Sequence, residues 1–259
     1  MQNSSPVDTP ISKSHALGSQ ICPKTPKEKE KMSRVPYRSA VGGLMYAMMC
    51  TRLDSYQAVG LVSRYQTNPG LAHWQAVKRI MRYLKGIADY ALCYQGNKDL
   101  RLVGYNDADH GGDLDERKST SGYVFLLSDG AISWSSEKQS CISLSTMEAE
   151  YVAHASTAQE AVWLKRFLEH LLDIAEAAEP ACKVVNVKYV STKDMLADPL
   201  TKLVSKDAFV RHTRFALDKR LYTPKRYIAV SSHSTEPTKL FRANPSFCIS
   251  QDYLDPLFQ

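Results

Sequence analysis

Three acidic residues that are far apart in the chain have the clearest potential for chemistry. Asp107 ends an apolar run that predicts a strand, Glu150 lies one turn into a predicted helix, and Asp198 lies near the start of another. Carboxylates from separate elements can converge on a divalent cation, because Mg²⁺ takes few protein oxygens and keeps water ligands. Two such ions can activate a water molecule and stabilise a leaving oxygen. Spacing alone leaves open the alternative that each is an ordinary solvated surface acid.

The elements around Asp107 are predicted to be strands. LRLVGYNDA predicts a strand that enters an acidic turn, and SGYVFLL and AISWSS predict a hairpin joined by Ser128-Asp129-Gly130. QSCISLS fits a further strand of the same set. We therefore expect Asp107 to stand at the end of a small sheet.

A helix is predicted to present Glu150. Ser145 and Glu148 have the spacing of a capping box, which gives Glu148 a structural role at the helix start. The apolar residues that predict the core face of this helix are Ala158, Val162, Leu164, Leu168 and Leu171. Further on, KVVNVKYVS predicts a strand, and TKDMLADPLTK predicts a helix start interrupted by Pro199.

Residues 37–99 are predicted to be helical. SAVGGLMYAMM is apolar, Asp54 can cap a second helix, and HWQAVKRIMRYLKG predicts a third. The third helix has an apolar stripe, formed by Trp74, Val77, Met81 and Leu84. Lys78, Arg82 and Lys85 form a separate basic stripe at i, i+4 and i+7. This stripe fits contact with nucleic-acid phosphates, or alternatively an ordinary solvated helix face.

Charge and composition set limits on the class of protein. The 259 residues are 44% hydrophobic and 23% charged, which is typical of a globular chain. The formal charge is +9 over residues 1–102, −8 over 103–200 and +5 over 201–259. This layout fits a protein that holds a polyanion with its flanks and collects cations at its centre, although chance clustering gives the same pattern.

The two ends and the cysteines predict no further site. Residues 1–36 predict a disordered or extended leader, and residues 203–259 a poorly structured tail with at most fragmentary helices. The six cysteines have no zinc-ligand spacing. Because the sequence contains neither an apolar signal-peptide core nor a membrane-length apolar run, we expect an intracellular protein without membrane partners. A cytoplasmic particle and the nucleus both remain open as its location.

Several long sequence blocks carry a family resemblance. GYNDADHGGDLDERKSTSGYVFLL, AISWSSEKQ, SLSTMEAEYVAHASTAQEAVWLK and YVSTKDMLADPLTK resemble, in order, the ribonuclease H domain of copia-type retrotransposon Pol polyproteins. VPYRSAVGGLMYAMMCTRLD and LVSRYQTNPGLAHWQAVKRIMRYLKG resemble the C-terminal end of the reverse transcriptase in the same polyprotein. The resemblance covers about residues 34–202.

The resemblance implies specific roles for the three carboxylates. Asp107 of YNDAD, Glu150 of MEAEY and Asp198 of LADPLTK match catalytic ligands of two Mg²⁺ or Mn²⁺ ions. The implied substrate is an RNA–DNA hybrid, whose RNA strand is hydrolysed, and other parts of the Pol polyprotein are implied partners. Asp109 and Glu148 are not assigned to the metal.

The implied fold is α/β, a ribonuclease H-like mixed sheet flanked by helices. It spans residues 100–202 and follows the helical reverse-transcriptase segment. The family has a further strand, ending in an Asp-Asn pair that supplies another ligand, and a helix after it. No Asp-Asn occurs between Glu150 and Asp198, so we expect a deletion near residues 172–183 that removes one core strand and one helix. Asp173 and Asp194 are the local aspartates that could substitute, and neither fits well.

Three functions therefore remain as hypotheses. The chain is a hybrid-cleaving ribonuclease impaired by loss of one Asp ligand, a non-catalytic nucleic-acid-binding remnant, or a remnant without a stable fold or function. Polymerase activity is excluded for this chain, because the Tyr-x-Asp-Asp motif of the reverse transcriptase does not occur in it.

Overall fold

A computed structural model describes most of the chain. The described residues are 4–12, 17–95, 101–171, 185–219 and 246–249. Within them the helices are α1 (Pro26–Ser33), α2 (Tyr37–Cys50), α3 (Tyr56–Ser63), α4 (Leu71–Gly86), α5 (Thr146–Leu171), α6 (Asp198–Thr201) and α7 (Lys206–Ala216). The strands are β1 (Tyr90–Gln95), β2 (Leu102–Asp109), β3 (Thr120–Leu127), β4 (Gly130–Lys138), β5 (Asp218–Lys219) and β6 (Ser246–Ile249).

The N-terminal segment, predicted as a disordered or extended leader over residues 1–36, packs on the helical core where it is described and forms helix α1. Ile11 and Leu17 are buried against the helical core. Helix α1 begins with a capping box, in which Thr25 accepts from the backbone of Glu28 and the Glu28 carboxylate accepts from that of Thr25. Local capping and two distant apolar contacts order a segment whose composition alone indicates disorder.

Helices α2, α3 and α4 form the main apolar core. The stripe predicted on α4 is largely confirmed, because Val77, Met81 and Leu84 are buried and Trp74 is half-buried against the same core. After α4, however, the chain forms strand β1, which pairs with β5 and β6. The prediction that residues 37–99 are helical is therefore wrong for β1.

Strands β2, β3 and β4 form an antiparallel sheet in the order β2-β3-β4. The predicted hairpin between β3 and β4 is confirmed. Its turn is Ser128-Asp129, with φ of 51° and 71° at these two residues. Positive φ at both central residues is the type I′ pattern, whose twist matches that of the paired strands.

Successive β3 side chains point to opposite faces of this sheet, and apolar residues cover each face. Val124 and Leu126 pack with residues of β1, β4 and α6 in one cluster. Phe125 packs with Ala161 and Leu164 of α5 in another. The sheet is thus the middle layer between α5 and the remaining elements.

Helix α5 presents a different face from the one predicted. Leu164 is buried as expected, but Leu171 is 60% exposed, and the other buried residues are Ala149, Ala153 and Ala161. Alanine has the smallest side chain that still favours a helix, so these positions let α5 lie close to the sheet. Of the other residues predicted for the core face, Val162 and Leu168 are half-buried and Ala158 is exposed.

The tail beyond residue 202 is more ordered than predicted. Helix α7 is capped by the Ser205 side chain, and its Phe209 is buried in the helical core. Leu217, directly after α7, is buried beside the sheet. These contacts extend the folded unit past the predicted boundary at least to β5.

The α/β class is confirmed, and the three-stranded sheet flanked by helices is compatible with a ribonuclease H-like fold. The mixed sheet was predicted incorrectly for the described residues, in which the strands pair antiparallel. KVVNVKYVS was predicted to be a strand, but the part of it that the structure describes, residues 185–191, forms neither strand nor helix and is mostly exposed. The predicted deletion near residues 172–183 lies outside the described residues and stays a prediction.

Candidate functional site

Asp107 is positioned by its register in the sheet. It lies on β2 opposite Gly122 of β3, and it is 7% exposed. A Cβ on Gly122 would lie 2.9 Å from Leu200 Cβ and 2.7 Å from Thr201 Cγ2. The glycine therefore lets α6 lie directly against the sheet beside Asp107.

Short helix α6 supplies the second carboxylate. It begins at Asp198, as predicted, and Pro199 stands in its first turn, where a missing N–H costs nothing. The Ser136 hydroxyl of β4 donates to the carbonyl of Leu200, and the Thr201 hydroxyl donates to Asp107 Oδ2. These contacts place Asp198 at the same end of the sheet as Asp107.

Helix α5 supplies the third carboxylate, Glu150. Ser145 Oγ accepts from the Glu148 backbone at 3.2 Å, and Glu148 Oε2 accepts from the Leu144 backbone at 2.7 Å, so the predicted capping role of Glu148 is confirmed. Gln139 Nε2 donates to the carbonyl of Ala149 at 2.9 Å.

The same Gln139 amide also ties α5 to the sheet. Its Nε2 donates to Ser121 Oγ at 2.8 Å, and its Oε1 accepts from Ser143 Oγ at 2.8 Å. QSCISLS forms an irregular connection and not the predicted strand.

Lys202 lies among the carboxylates. Its Nζ is 3.2 Å from Asp107 Oδ2 and 3.1 Å from Asp198 Oδ1. Asp198 Oδ1 is buried and makes no hydrogen bond of good geometry, so its contact with Lys202 is an ion pair. Two nearly buried carboxylates thus share one ammonium group.

The electrostatics of the cluster reflect this crowding. Burial, and then the charge of Asp107, raise the pKa of both Glu150 and Asp198. Burial also raises the pKa of Asp109, which the positive charge of Lys202 opposes. Burial alone would lower the pKa of Lys202, but the charges of Asp107 and Asp198 outweigh it and raise that pKa.

Lys202 and Thr201 also belong to the cluster, and neither was predicted from the sequence. Both stand in LADPLTK, at i+3 and i+4 from Asp198. That spacing places side chains on one helix face, so it could have indicated the ion pair. Asn106 and His154 were also missed; Asn106 Nδ2 lies 3.1 Å from His154 Nδ1, beside Glu150.

The ligand atoms of the cluster suit a divalent metal ion, but their arrangement does not. Carboxylate oxygens are suitable ligands for Mg²⁺ or Mn²⁺. Among the described residues, however, no three His, Cys, Asp or Glu side chains are grouped so that they could hold a metal ion. Lys202 already lies between Asp107 and Asp198. As arranged, the cluster does not fit the implied metal, and the assignment of Asp107, Glu150 and Asp198 as its ligands stays a prediction.

Neither substitute aspartate joins the cluster in the described structure. Asp194 is exposed in a turn, where its Oδ2 accepts from Ser191 Oγ at 2.8 Å. Asp173 lies outside the described residues.

The predicted nucleic-acid-binding residues lie on α4, apart from the carboxylates. Arg82 Nε donates to the carbonyl of Ser5 at 2.7 Å, and Lys85 Nζ donates to that of Ser4 at 3.1 Å. Lys78 is partly exposed on the same helix. The N-terminal segment therefore covers part of the basic stripe.

Curated relatives give the family of the chain. It is 44% identical over 243 residues to the Retrovirus-related Pol polyprotein from transposon TNT 1-94 of Nicotiana tabacum, a match covering 81% of this chain and 18% of the relative. The corresponding polyprotein from transposon RE2 of Arabidopsis thaliana is 33% identical, over 83% of this chain and 17% of the relative. The chain belongs to the copia-type retrotransposon Pol polyprotein family.

This Pol-family chain also resembles a short protein. It is 49% identical over 133 residues to Secreted RxLR effector protein 161 of Plasmopara viticola, which covers 51% of this chain and 94% of the relative. The chain spans less than a fifth of the length of the Pol polyproteins. Neither a protein-family model nor a solved structure matches it. Among the described helices, none is both long and apolar enough to span a membrane.

Proposed function

We propose that residues 100–202 are a ribonuclease H-like domain of a mobile-element Pol polyprotein that binds RNA–DNA hybrids and cleaves their RNA strand very slowly or not at all. The observation that carries this proposal is the cluster at one end of the sheet. Asp107 of β2 and Asp198 of α6 meet there, Glu150 of α5 lies close enough for the charge of Asp107 to raise its pKa, and Lys202 forms ion pairs with the first two. The carboxylates support ribonuclease H descent, and the lysine supports impairment.

The proposed impairment has two independent causes. The family resemblance implies a fourth carboxylate ligand, and the sequence between Glu150 and Asp198 contains no Asp-Asn pair to supply it. Two-metal hydrolysis depends on accurately placed ions, so losing one ligand is expected to cost orders of magnitude in rate. The positive charge of Lys202 also opposes entry of a cation between Asp107 and Asp198.

The proposed nucleic-acid contacts are made by the basic stripe Lys78, Arg82 and Lys85 and by the basic flanks. Contacts to phosphates are independent of sequence and sensitive to salt. Arg82 and Lys85 already donate to backbone carbonyls of the N-terminal segment. Each of these bonds uses only part of the donor capacity of its side chain, so the remaining N–H groups of Arg82 and Lys85 can donate to phosphate oxygens beside Lys78.

Binding is tested by fluorescence anisotropy with a labelled RNA–DNA hybrid at 50 and 200 mM salt. We expect binding at the lower concentration and a loss of about tenfold or more at the higher one, because bound phosphates release counterions. Replacing Lys78, Arg82 and Lys85 together by alanine should weaken binding further. The matched control replaces two lysines and one arginine that are exposed outside the basic flanks, namely Lys165, Arg166 and Lys188. Equal losses in both triple variants would contradict the proposed contact surface, and no binding at 50 mM would contradict hybrid recognition.

Cleavage is tested on the same hybrid with Mg²⁺ or Mn²⁺, with Asp107→Asn as the control. We expect the RNA strand to be cut at or near the background rate in both proteins. Robust metal-dependent cleavage that Asp107→Asn abolishes would overturn the proposed impairment and favour a competent ribonuclease.

The alternative that the chain is a remnant without stable structure has its own test. Thermal unfolding followed by circular dichroism should show one cooperative transition if the buried cores described above form. A chain that shows neither cooperative unfolding nor hybrid binding would be such a remnant. An intracellular location and an association with other parts of a Pol polyprotein belong to the proposal as well.

A further inference from the structure

Two residues at the C-terminal end of α6, Thr201 and Lys202, contact the carboxylate of Asp107. Asp198, Thr201 and Lys202 stand at i, i+3 and i+4 around α6. The Thr201 hydroxyl donates to Asp107 Oδ2, and Lys202 Nζ lies 3.3 Å from Asp107 Oδ1. Thr201 therefore supplies Asp107 with a hydroxyl donor, and Lys202 supplies it with a cation. The same Lys202 ammonium group also lies beside the carboxylate of Asp198.

The burial of these groups makes the cation necessary. The side chains of Asp107 and Asp198 are 10% and 6% exposed, whereas that of Lys202 is 35% exposed. Two carboxylates that are close together and largely out of water repel each other unless a positive charge lies between them. Lys202 supplies that charge from the edge of the site, with part of its side chain still in solvent.

A divalent cation that bridged Asp107 and Asp198 would need the place that the ammonium group holds. Two cations within a few Å of each other repel strongly in a partly buried site, so both cannot remain there.

We propose that Lys202 is a built-in counter-cation that occupies the position between Asp107 and Asp198 and thereby blocks divalent-cation binding to this pair. This inference rests on the proposed function and names Lys202 as the cause of the weakened metal site. The blocked ligand is a hard divalent cation such as Mn²⁺ or Mg²⁺, because the pair offers only carboxylate oxygens.

The test measures Mn²⁺ binding directly, from the loss of the electron paramagnetic resonance signal of free Mn²⁺ during titration of the full chain. Lys202→Met should bind Mn²⁺ at least about tenfold more tightly than the unchanged protein, because a nearby positive charge has been removed. Lys202→Arg, which keeps the charge, should bind as the unchanged protein does.

The matched control is Lys188→Met, which removes one exposed positive charge elsewhere in the chain. Lys188→Met should leave the Mn²⁺ affinity unchanged. If it raised the affinity as much as Lys202→Met does, the effect would come from the overall charge of the protein and not from Lys202, which would contradict the proposal. Adding Asp107→Asn to Lys202→Met should remove the gain and so locate the bound ion. Equal Mn²⁺ affinity of the unchanged protein and Lys202→Met would overturn the proposal, as would a gain that survives Asp107→Asn.

A second variant and a thermal measurement test the proposal if Lys202→Met fails to fold. Lys202→Gln removes the charge but keeps a hydrogen-bond donor, and its thermal midpoint should rise with added Mn²⁺ while that of the unchanged protein stays constant. No rise would contradict the proposal. These measurements involve neither hybrid nor cleavage, so a failure of the proposed function leaves their outcome interpretable.

Discussion

Arg52 and Asp54 form an ion pair inside the protein, with 2.6 Å between Arg52 Nη2 and Asp54 Oδ2 and both side chains 1% exposed. The Tyr83 hydroxyl of α4 also donates to Asp54 Oδ2, and the Arg52 guanidinium lies 5.9 Å from the centre of the Tyr83 ring. Asp54, which the sequence analysis assigned as a helix cap, instead makes no capping bond and links two helical segments. The TRLD motif therefore has a structural role in the buried core.

Removing Asp54 should be among the most damaging single changes in the helical unit. Asp54→Ala leaves the Arg52 charge buried without its carboxylate, which is expected to cost about 3–5 kcal/mol of unfolding free energy. Tyr83→Phe removes only one hydrogen bond and should cost about 1–2 kcal/mol. Urea denaturation followed by circular dichroism measures both, and equal losses for the two variants would contradict the dominant role of the ion pair.

Asp113 joins the helical unit to the turn after β2. Its Oδ1 lies 2.7 Å from Arg64 Nη1, at the end of α3, and its Oδ2 accepts from the Glu116 backbone at 2.8 Å. Because Asp113 is 4% exposed, Asp113→Ala should reduce the unfolding free energy by about 2 kcal/mol. The control is Glu30→Ala, whose ion pair with Arg34 is on the surface and should contribute less than about 1 kcal/mol. A loss for Asp113→Ala no larger than the control would argue against this connection.

Gly122 should tolerate no side chain, because α6 lies too close to it. A Cβ there would meet Thr201 Cγ2 at 2.7 Å, so Gly122→Ala is expected to displace α6 and cost about 1–3 kcal/mol. Gly42→Ala is the matched control on α2, where a Cβ would have no neighbour within 4 Å. It should stabilise the protein by about 0.5–1 kcal/mol through helix propensity. Thermal unfolding compares the two, and destabilisation by both would contradict a local contact with α6.

The ionised side chain of Glu150 should lower the free energy of unfolding at neutral pH. Its pKa is raised by burial and then by the charge of Asp107, so the folded protein holds a proton that the unfolded chain has lost. This penalty is absent below the model-peptide value of 4.5, grows as pH rises from there towards the folded pKa, and is constant above it. Glu150→Gln removes the penalty. Its unfolding free energy should therefore equal that of the unchanged protein at about pH 4 and exceed it at pH 7.

The comparison is made by urea denaturation across this pH range. Glu148→Gln is the control, because Glu148 caps the start of the same helix from an exposed position. A stability gain for Glu150→Gln that is equally large at pH 4 would contradict the titration as its cause.

Local sequence patterns determined those features that depend on near neighbours. The apolar stripe of α4 follows from helical periodicity, the β3–β4 hairpin from the Ser128-Asp129-Gly130 turn, and the start of α5 from Ser145 and Glu148. Long ordered blocks also indicated membership of the Pol family. Each of these signals lies within a few residues of the feature that it predicts, or within one continuous block.

Tertiary contacts decided the features that join distant residues. Ile11, Leu17 and Phe209 are ordered by a core formed mainly by α2, α3 and α4, which the composition of the two ends does not indicate. Likewise, α5 buries its alanines because the sheet, and not the helix itself, selects the face that fits closely.

The candidate site also combines features that the sequence predicts with features that only the tertiary structure decides. The sequence resemblance predicted which carboxylates belong to it, because Asp107, Glu150 and Asp198 stand in recognisable blocks. Only the tertiary structure decided the cationic partner of Asp107, since Lys202 reaches it across 95 positions of the chain. Electrostatic energy depends on distance and burial, and neither can be read from spacing along the chain.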